Sequence, residues 1–157
     1  MNRNRNGSKR QAETMHTWTY EQARHAAPYI ASVMASLREH WLDLQFHDRK
    51  VQKLKNQPGR PDRAALLDQD DALRLARAAT DRFEDAQSEL NVLDVFCIDP
   101  VKGEAVIPFT FDNQLAWFVF DLFDADHLRH WRYHSDPLDT RRPIAEVLEG
   151  QGETLIA

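Results

Sequence analysis

The residues best suited to chemistry lie close together near the end of the sequence, between Trp131 and Pro143. This stretch mixes aromatic side chains, histidines and arginines with turn-forming residues. Guanidinium groups donate paired hydrogen bonds to carboxylates and phosphates, and histidines add a charge that depends on pH. The pattern is suited to anion binding, and the candidate ligand-binding residues are His130, Arg132, His134, Arg141 and Arg142. The alternative, which we favour, is that Arg132, Arg141 and Arg142 form ordinary ion pairs around a turn with the nearby aspartates, namely Asp121, Asp124, Asp126, Asp136 and Asp139.

A metal site is the second chemistry that the histidines suggest. His127, His130 and His134 have a spacing that would bring them together on a helix. The surrounding residues instead alternate as in a strand, on which His130 and His134 would stand ~13 Å apart at ~3.3 Å per residue. A single ion cannot bridge that distance, so we predict no metal site here.

A weaker metal candidate lies in a predicted helix, where His40, Asp43 and His47 share one face. Polar residues at the boundary of a helix face are ordinarily solvated, so we predict neither a metal nor a cofactor. Motifs for nucleophilic catalysis or phosphate binding are missing from the sequence, and Cys97 lies in an apolar run typical of a buried thiol. Catalysis is not predicted, although an enzyme built on the anion site stays open.

Composition sets the class of protein. The chain has 157 residues, enough for one domain with a core, and a formal net charge of −5 that gives no attraction to nucleic acid or anionic lipid. No apolar stretch approaches the ~20 residues that cross a bilayer, and the N-terminus has no secretory apolar segment. We predict a cytoplasmic protein with a flexible basic tail over residues 1–15 and a single domain over residues 16–157.

Two long apolar repeats with helical spacing predict an antiparallel helical hairpin over about residues 19–90. Thr19 and Gln22 are placed to form a capping box, and Asp62 is placed to cap the second helix. Asn91 is expected to end that helix in a left-handed conformation. Pro28 falls two turns into the first helix, where we expect a kink or a short break.

After the hairpin the apolar period changes to about two, which predicts an antiparallel meander of three or four strands over about residues 92–134. A C-terminal loop and short helix are expected over about residues 135–150. The fold class is therefore α+β. Because successive side chains of a strand point to opposite faces, Arg132 is expected on one face of the sheet and Trp131 and Tyr133 on the other. Pro108 is expected at a bulge or an edge position.

The third strand is apolar on both of its faces, unlike a strand with one solvated face. One helical hairpin can shield only one side of the sheet. The other side must be covered by the C-terminal residues or by another subunit. Because two-fold dimers are the commonest oligomers, we predict a homodimer.

Short motifs occur in a fixed order along most of the chain. They are Thr19-Tyr20-Glu21-Gln22-Ala23 with Pro28, Gly103 five residues before Pro108, and Trp131 ten residues before Arg141. With the helical hairpin and the aromatic-rich strand, these motifs resemble the small bacterial family called domain of unknown function 2203, over most of the range from Trp18 to Ile144.

The chain departs from the pattern of that family at three places. Val106 stands where the family usually has an acidic residue, Asp124-Ala125 where it has a Gly-Glu pair, and Arg132 where it has a histidine. The resemblance implies the fold and a bacterial protein. It implies no activity, because the family has no assigned function, and any site built from those polar residues would be lost or rebuilt here.

Two classes of function follow from the sequence. The first, which we favour, is a non-catalytic homodimeric interaction or scaffold module. The second is a small-molecule or anion-binding protein that uses the face of His130, Arg132 and His134 together with Arg141, and an enzyme built on the same face is left open. A concave pocket lined by those side chains would favour the second class, and a flat surface of paired charges the first.

Overall fold

The computed structural model describes residues 15–156 and has two long helices followed by a five-stranded sheet and a third helix. The helices are α1 (Tyr20–Lys55), α2 (Arg63–Val92) and α3 (Ala145–Ile156). The strands are β1 (Phe96–Asp99), β2 (Glu104–Phe111), β3 (Gln114–Asp121), β4 (His130–Tyr133) and β5 (Arg142–Pro143). Every strand pairs antiparallel with its neighbours in chain order. The predicted α+β class is confirmed, while the predicted tail lies outside the described residues except for Met15.

The first helix begins as the sequence predicts. The Thr19 hydroxyl accepts a hydrogen bond from the backbone N–H of Gln22, and the Gln22 side chain accepts one from the backbone N–H of Thr19. The break expected at Pro28 is wrong, because α1 continues through this residue. Pro28 is exposed, so the backbone carbonyl that lacks its partner lies on the solvent side, while Ala27 and Ile30 hold the other side in the core.

The second helix also begins as predicted, since the Asp62 carboxylate accepts a hydrogen bond from the backbone N–H of Ala65 at 2.8 Å. Its end differs from the prediction. The helix runs past Asn91, and the left-handed residue is Asp94, with a φ of 58°. The Leu90 carbonyl accepts from the backbone N–H groups of Leu93 and Val95, which moves the reversal of the chain to Asp94.

One face of the sheet forms the main core with the proximal parts of α1 and α2. Phe109 and Phe118 stack with their ring centroids 3.8 Å apart, and Trp131 meets Phe109 edge to face. Ile30 and Met34 of α1 belong to the same fully buried cluster. On this face, the apolar residues of β3 are therefore accounted for by their burial beneath the hairpin.

β2 is an inner strand of the sheet, but Pro108 occupies a local edge position within it, as one of the two predicted alternatives states. The last residue pair of β1 on this side joins Phe96 to Val106, so Pro108 lies beyond the end of β1. Its pairing with Trp117 of β3 shows no shift of register. The missing N–H of Pro108 therefore interrupts no ladder, and its carbonyl accepts from the backbone N–H of Trp18 at 2.8 Å.

The hairpin continues well past the main core. We call residues 39–82 the arm: the distal part of α1, the distal part of α2 and their connection. Its own small cluster consists of Val51, Ala72 and Ala76, with Leu54 and Leu73 packed against it. Among the described residues, no hydrogen bond, ion pair or ring contact is found between the arm and the sheet, so the arm packs as two helices on each other.

Candidate functional site

The second face of the sheet, which points away from the helices, carries Arg132 and His130 of the predicted anion-binding residues. The side chains of Val106, Trp117, Val119 and Arg132 are all buried on this face. No helix covers them. The segment of residues 134–141 lies over them, because Leu138 and Arg141 border a small cavity together with Val106, Val119 and Arg132. This is the covering by C-terminal residues that the sequence left as one of two possibilities.

Arg132 is the notable residue of this face, because it is only 5% exposed yet carries a charge. It donates a hydrogen bond of 3.3 Å to the backbone carbonyl of Tyr133. None of the ion pairs among the described residues involves Arg132. Burial and the nearby charge of Arg141 lower the pKa of Arg132, while Asp136 opposes them. An arginine stays protonated at any physiological pH, so a desolvated positive charge remains here.

Arg141 lies beside Arg132 and has two functions in the local structure. Its guanidinium reaches the carboxylate of Glu104 at 3.5 Å. It also donates hydrogen bonds to the carbonyls of Leu138 and Thr140, at 3.0 and 2.8 Å. Arg141 therefore fixes the segment that lies over Arg132, and it supplies a second cation at the same cavity.

Arg142 does not join this site, which corrects the sequence-based set. It pairs with Trp131 in the β4–β5 ladder and so projects to the opposite face. Its guanidinium lies 5.5 Å from the Trp131 ring centroid and 4.9 Å from that of Tyr133. Two hydrogen bonds, of 2.8 and 3.0 Å, join it to the Asp136 carboxylate and lower the pKa of Asp136. The alternative that the arginines form ion pairs around the turn holds for Arg142.

The histidines do not converge on the cavity. His130 projects to the same face as Arg132 but does not line the cavity. His134 follows the end of β4, and its Nδ1 accepts a hydrogen bond of 3.0 Å from the indole N–H of Trp117, so this nitrogen carries no proton. The Nδ1 of His127 is 2.9 Å from the carbonyl of Asp121, and its ring stacks on Phe120. Of these three residues only His130 lies within β4, and His127 and His134 each contact a different partner.

The weaker metal candidates lie in the arm. His40 and His47 are partly buried and Asp43 is exposed. The ring of His47 packs edge to face on Phe46, and its Nδ1 is buried without a hydrogen-bond partner. Within residues 15–156, no group of three or more histidine, cysteine or acidic side chains is arranged to hold a metal ion.

Cys97 lies in β1, where it is partly buried and packs against the main core, whereas the sequence predicts a buried thiol. Burial, with a contribution from Asp99, raises the pKa of Cys97 to about 11. The thiol is therefore protonated at neutral pH and has little nucleophilic character.

Sequence reasoning missed two residues of the cavity, Glu104 and Leu138. Glu104 follows the turn after β1, and no motif marks it in the sequence. Leu138 is 73% exposed in an irregular segment, where an apolar residue carries no periodic signal. Leu138 lies at the cavity because β5 pairs with β4 and draws residues 134–141 back over the sheet, where the segment meets Glu104 of β2.

The arm carries a second set of residues that the sequence did not single out. It exposes five large apolar side chains, although it has no sheet to pack on. These are Leu42, Phe46, Leu66, Leu67 and Leu75. Phe46 is the most exposed of them, at 65%. Large apolar side chains that cluster on a surface mark sites of association.

Opposite charges also face each other across the tip of the arm. Residues 48–55 of α1 carry a net charge of +3, and residues 62–71, which cap and begin α2, carry −3. The members are Asp48, Arg49, Lys50, Lys53 and Lys55 on α1, and Asp62, Arg63, Asp68, Asp70 and Asp71 on the α2 side. The ion pairs found among the described residues include none between α1 and α2. Asp71 pairs with Arg74 within α2. The other charges of the two segments are in none of the ion pairs found among the described residues.

The fold and these two surfaces define an α+β protein in which a helical hairpin lies against a five-stranded antiparallel meander. Comparison with family models, with curated proteins and with solved structures gives no match for this chain. The resemblance to domain of unknown function 2203 thus stays a prediction that rests on the motifs quoted above. None of the described helices is long and apolar enough to span a membrane, and the cytoplasmic location also stays a prediction.

Proposed function

We propose that the protein is a non-catalytic interaction module that forms a homodimer through its arm. The observation that carries this proposal is that one two-helix element combines exposed apolar residues with opposite charges. No ion pair found among the described residues joins the charges of α1 to those of α2. A two-helix element buries little apolar surface by itself, and its interior here is mostly alanine. A further layer would bury side chains such as Phe46 and Leu67.

A second copy of the same chain is the occupant that the charges favour. In a two-fold dimer the same patch meets itself, so α1 of one copy can lie against α2 of the other. This arrangement brings the +3 end of α1 close to the −3 start of the partner's α2, and it does so twice. Two arms that associate in this way form a four-helix bundle, the usual means of burying helices of this length.

The arm is a better basis for this dimer than the sheet. The sequence-based argument left the second face of the sheet to be covered either by the C-terminal residues or by another subunit. Val119 and Arg132 are instead buried within the chain, beneath residues 134–141. These residues of the second face are therefore already buried without a second subunit, whereas the large apolar side chains of the arm remain exposed in the described chain.

The first test measures the mass of the protein in solution. We expect the wild-type chain to show a concentration-dependent shift from monomer to dimer in sedimentation velocity. Phe46→Glu places a charge in the middle of the proposed interface and should leave a monomer at every concentration. Val92→Glu is the matched control, because Val92 is 83% exposed but lies at the far end of α2. A wild-type chain that stays monomeric at all concentrations would overturn the proposal.

The second test addresses the direction of pairing. One variant, with Lys50→Glu and Lys53→Glu, has two acidic helix surfaces, and another, with Asp68→Lys and Asp70→Lys, has two basic ones. Each alone should dimerise more weakly than wild type, and the loss should shrink at high salt. Mixed together they should form a heterodimer, because each basic surface then meets an acidic one.

Circular dichroism would show that each variant keeps its helical content. If each variant dimerises as strongly as wild type and the mixture shows no preference, the α1-to-α2 pairing is wrong even if a dimer exists.

A further inference from the structure

We propose that Arg132 and Arg141 form a binding site for an aliphatic monocarboxylate on the second face of the sheet. The carboxylate would lie against Arg132, and the aliphatic tail would lie between Leu138 and Ile98. This site is far in the fold from the arm and does not depend on dimerisation.

The charge of the cavity supports the ligand class. Its lining contains two cations, Arg132 and Arg141, and one anion, Glu104. Glu104 pairs with Arg141, and the nearest further carboxylate, Asp136, is already held by two hydrogen bonds from Arg142. Among the residues that the structure describes, the buried side chain of Arg132 thus has a hydrogen bond to a backbone carbonyl and no ion pair. A single negative charge would balance its positive charge, because guanidinium cannot release its proton.

The shape of the cavity selects among anions. Its volume is about 10 Å³, enough for about one water-sized group, so it would admit a single oxygen of an anion. At the rim, an apolar tail would then fit beside Ile98 and Leu138 more readily than the further charged oxygens of a tetrahedral dianion. Guanidinium also matches the plane of a carboxylate. A dianion would carry one negative charge more than is needed to balance Arg132.

The surroundings of the cavity favour an aliphatic tail. Val106 and Val119 form apolar walls. Ile98 and Leu138, at the rim, are 51% and 73% exposed. An aliphatic tail between these two side chains would bury apolar surface that is otherwise in water. Leu138 belongs to the segment that Arg141 fixes, so one arginine both completes the charge and holds the cover in place.

The experiment uses the full chain and three probes: butyrate, formate and inorganic phosphate. We expect butyrate to raise the midpoint of thermal unfolding and to shift amide resonances around Val106 and Val119. Formate should bind more weakly because it has no tail, and phosphate should have no comparable effect. Equal responses to all three anions would indicate general ionic effects and would overturn the site.

Variants separate the head group from the tail. Arg132→Met keeps the length of the side chain without its charge and should weaken butyrate binding about tenfold or more. Without ligand this variant should be at least as stable as wild type, because it removes an unbalanced buried charge. Leu138→Ala should weaken butyrate but not formate.

Arg129→Met serves as the control, since Arg129 is largely exposed and pairs with Asp124 away from the cavity. It should bind butyrate as wild type does. If Arg132→Met keeps the wild-type response to butyrate, the proposal is wrong. The same holds if Arg129→Met loses the response as fully as Arg132→Met, because the effect would then follow total charge.

Discussion

The proximal and distal halves of the hairpin are parts of the same two helices, with similar apolar spacing, yet they are packed in different ways. Near the sheet, Ile30, Met34 and Leu90 are fully buried. In the arm, the central residues Ala72 and Ala76 are small, and Phe46 is largely in water. The difference lies in the third layer, because the sheet covers the first half only. A helical repeat specifies which side faces the partner helix, but burial of large side chains needs another layer.

The strongest test of this contrast truncates one leucine in each half. Leu90→Ala should lower the free energy of unfolding by about 2–5 kcal/mol, because it removes a fully buried side chain from the main core. Leu73→Ala, at the partly buried edge of the arm cluster, should cost less than half as much. Urea denaturation followed by circular dichroism measures both. Equal losses would mean that the arm is as tightly packed as the core.

The two glycines with positive φ give a second matched pair. Gly103, with a φ of 69°, lies beside the sheet, and a Cβ there would stand 2.6 Å from the Cβ of Leu122. Gly59, with a φ of 92°, lies at the tip of the arm with open space around it. Both alanine variants pay roughly 1–2 kcal/mol for the left-handed backbone, and only Gly103→Ala adds a clash.

We therefore expect losses of about 2–4 kcal/mol for Gly103→Ala and about 1 kcal/mol for Gly59→Ala, measured as thermal and urea unfolding. A loss at Gly59 as large as that at Gly103 would show that the tip of the arm is more tightly packed than its open surroundings indicate.

The helix caps provide a smaller effect. Thr19→Ala removes the capping box at the start of α1, next to the main core, and should lower the free energy of unfolding by about 1 kcal/mol. Asp62→Ala removes the cap at the tip of the arm. Its effect should appear as faster hydrogen exchange in the first turn of α2, with a smaller change in global stability. The comparison fails if Asp62→Ala destabilises the whole chain more than Thr19→Ala.

The smallest expected effect concerns the thiol at the helix–sheet interface. Because burial raises the pKa of Cys97 from 9.0 to about 11, its alkylation at pH 8 should be about a hundredfold slower than that of an exposed thiol. The unfolded chain loses this proton first, so the contribution of Cys97 to stability should fall as pH rises from about 9 to about 11. Rapid alkylation at pH 8 would indicate that the interface opens frequently.

Much of the fold follows from local patterns. The capping box at Thr19, the cap at Asp62 and the change of period after the hairpin each have a local physical cause, so each can be predicted. The errors have a common origin. Pro28 did not break α1, because packing of the other side of the helix outweighs one missing hydrogen bond on the solvent side. Asp94, and not Asn91, takes the left-handed conformation, because the Leu90 carbonyl fixes where the chain reverses.

The candidate site was predicted only in part, because local patterns determine some of its features and contacts between distant residues determine the others. Strand alternation correctly separates Arg132 from Trp131, because the side-chain period of a strand is a property of the backbone. It does not predict β5, whose two residues are too few to form a pattern. The pairing of β5 with β4 turns Arg142 to the helix-facing side, while the segment that precedes it carries Arg141 across the second face.

The sequence by itself determined the two long helices, the order of helices before strands and the α+β class, because these depend on caps, turns and periodicity within short segments. Only the tertiary structure decided which of the clustered arginines is buried without an opposite charge and which part of the hairpin is left without a third layer. Both outcomes depend on contacts between residues that are distant in the chain. Arg132 meets Glu104 and Leu138 at one cavity, and the arm extends past a sheet whose position no local pattern records.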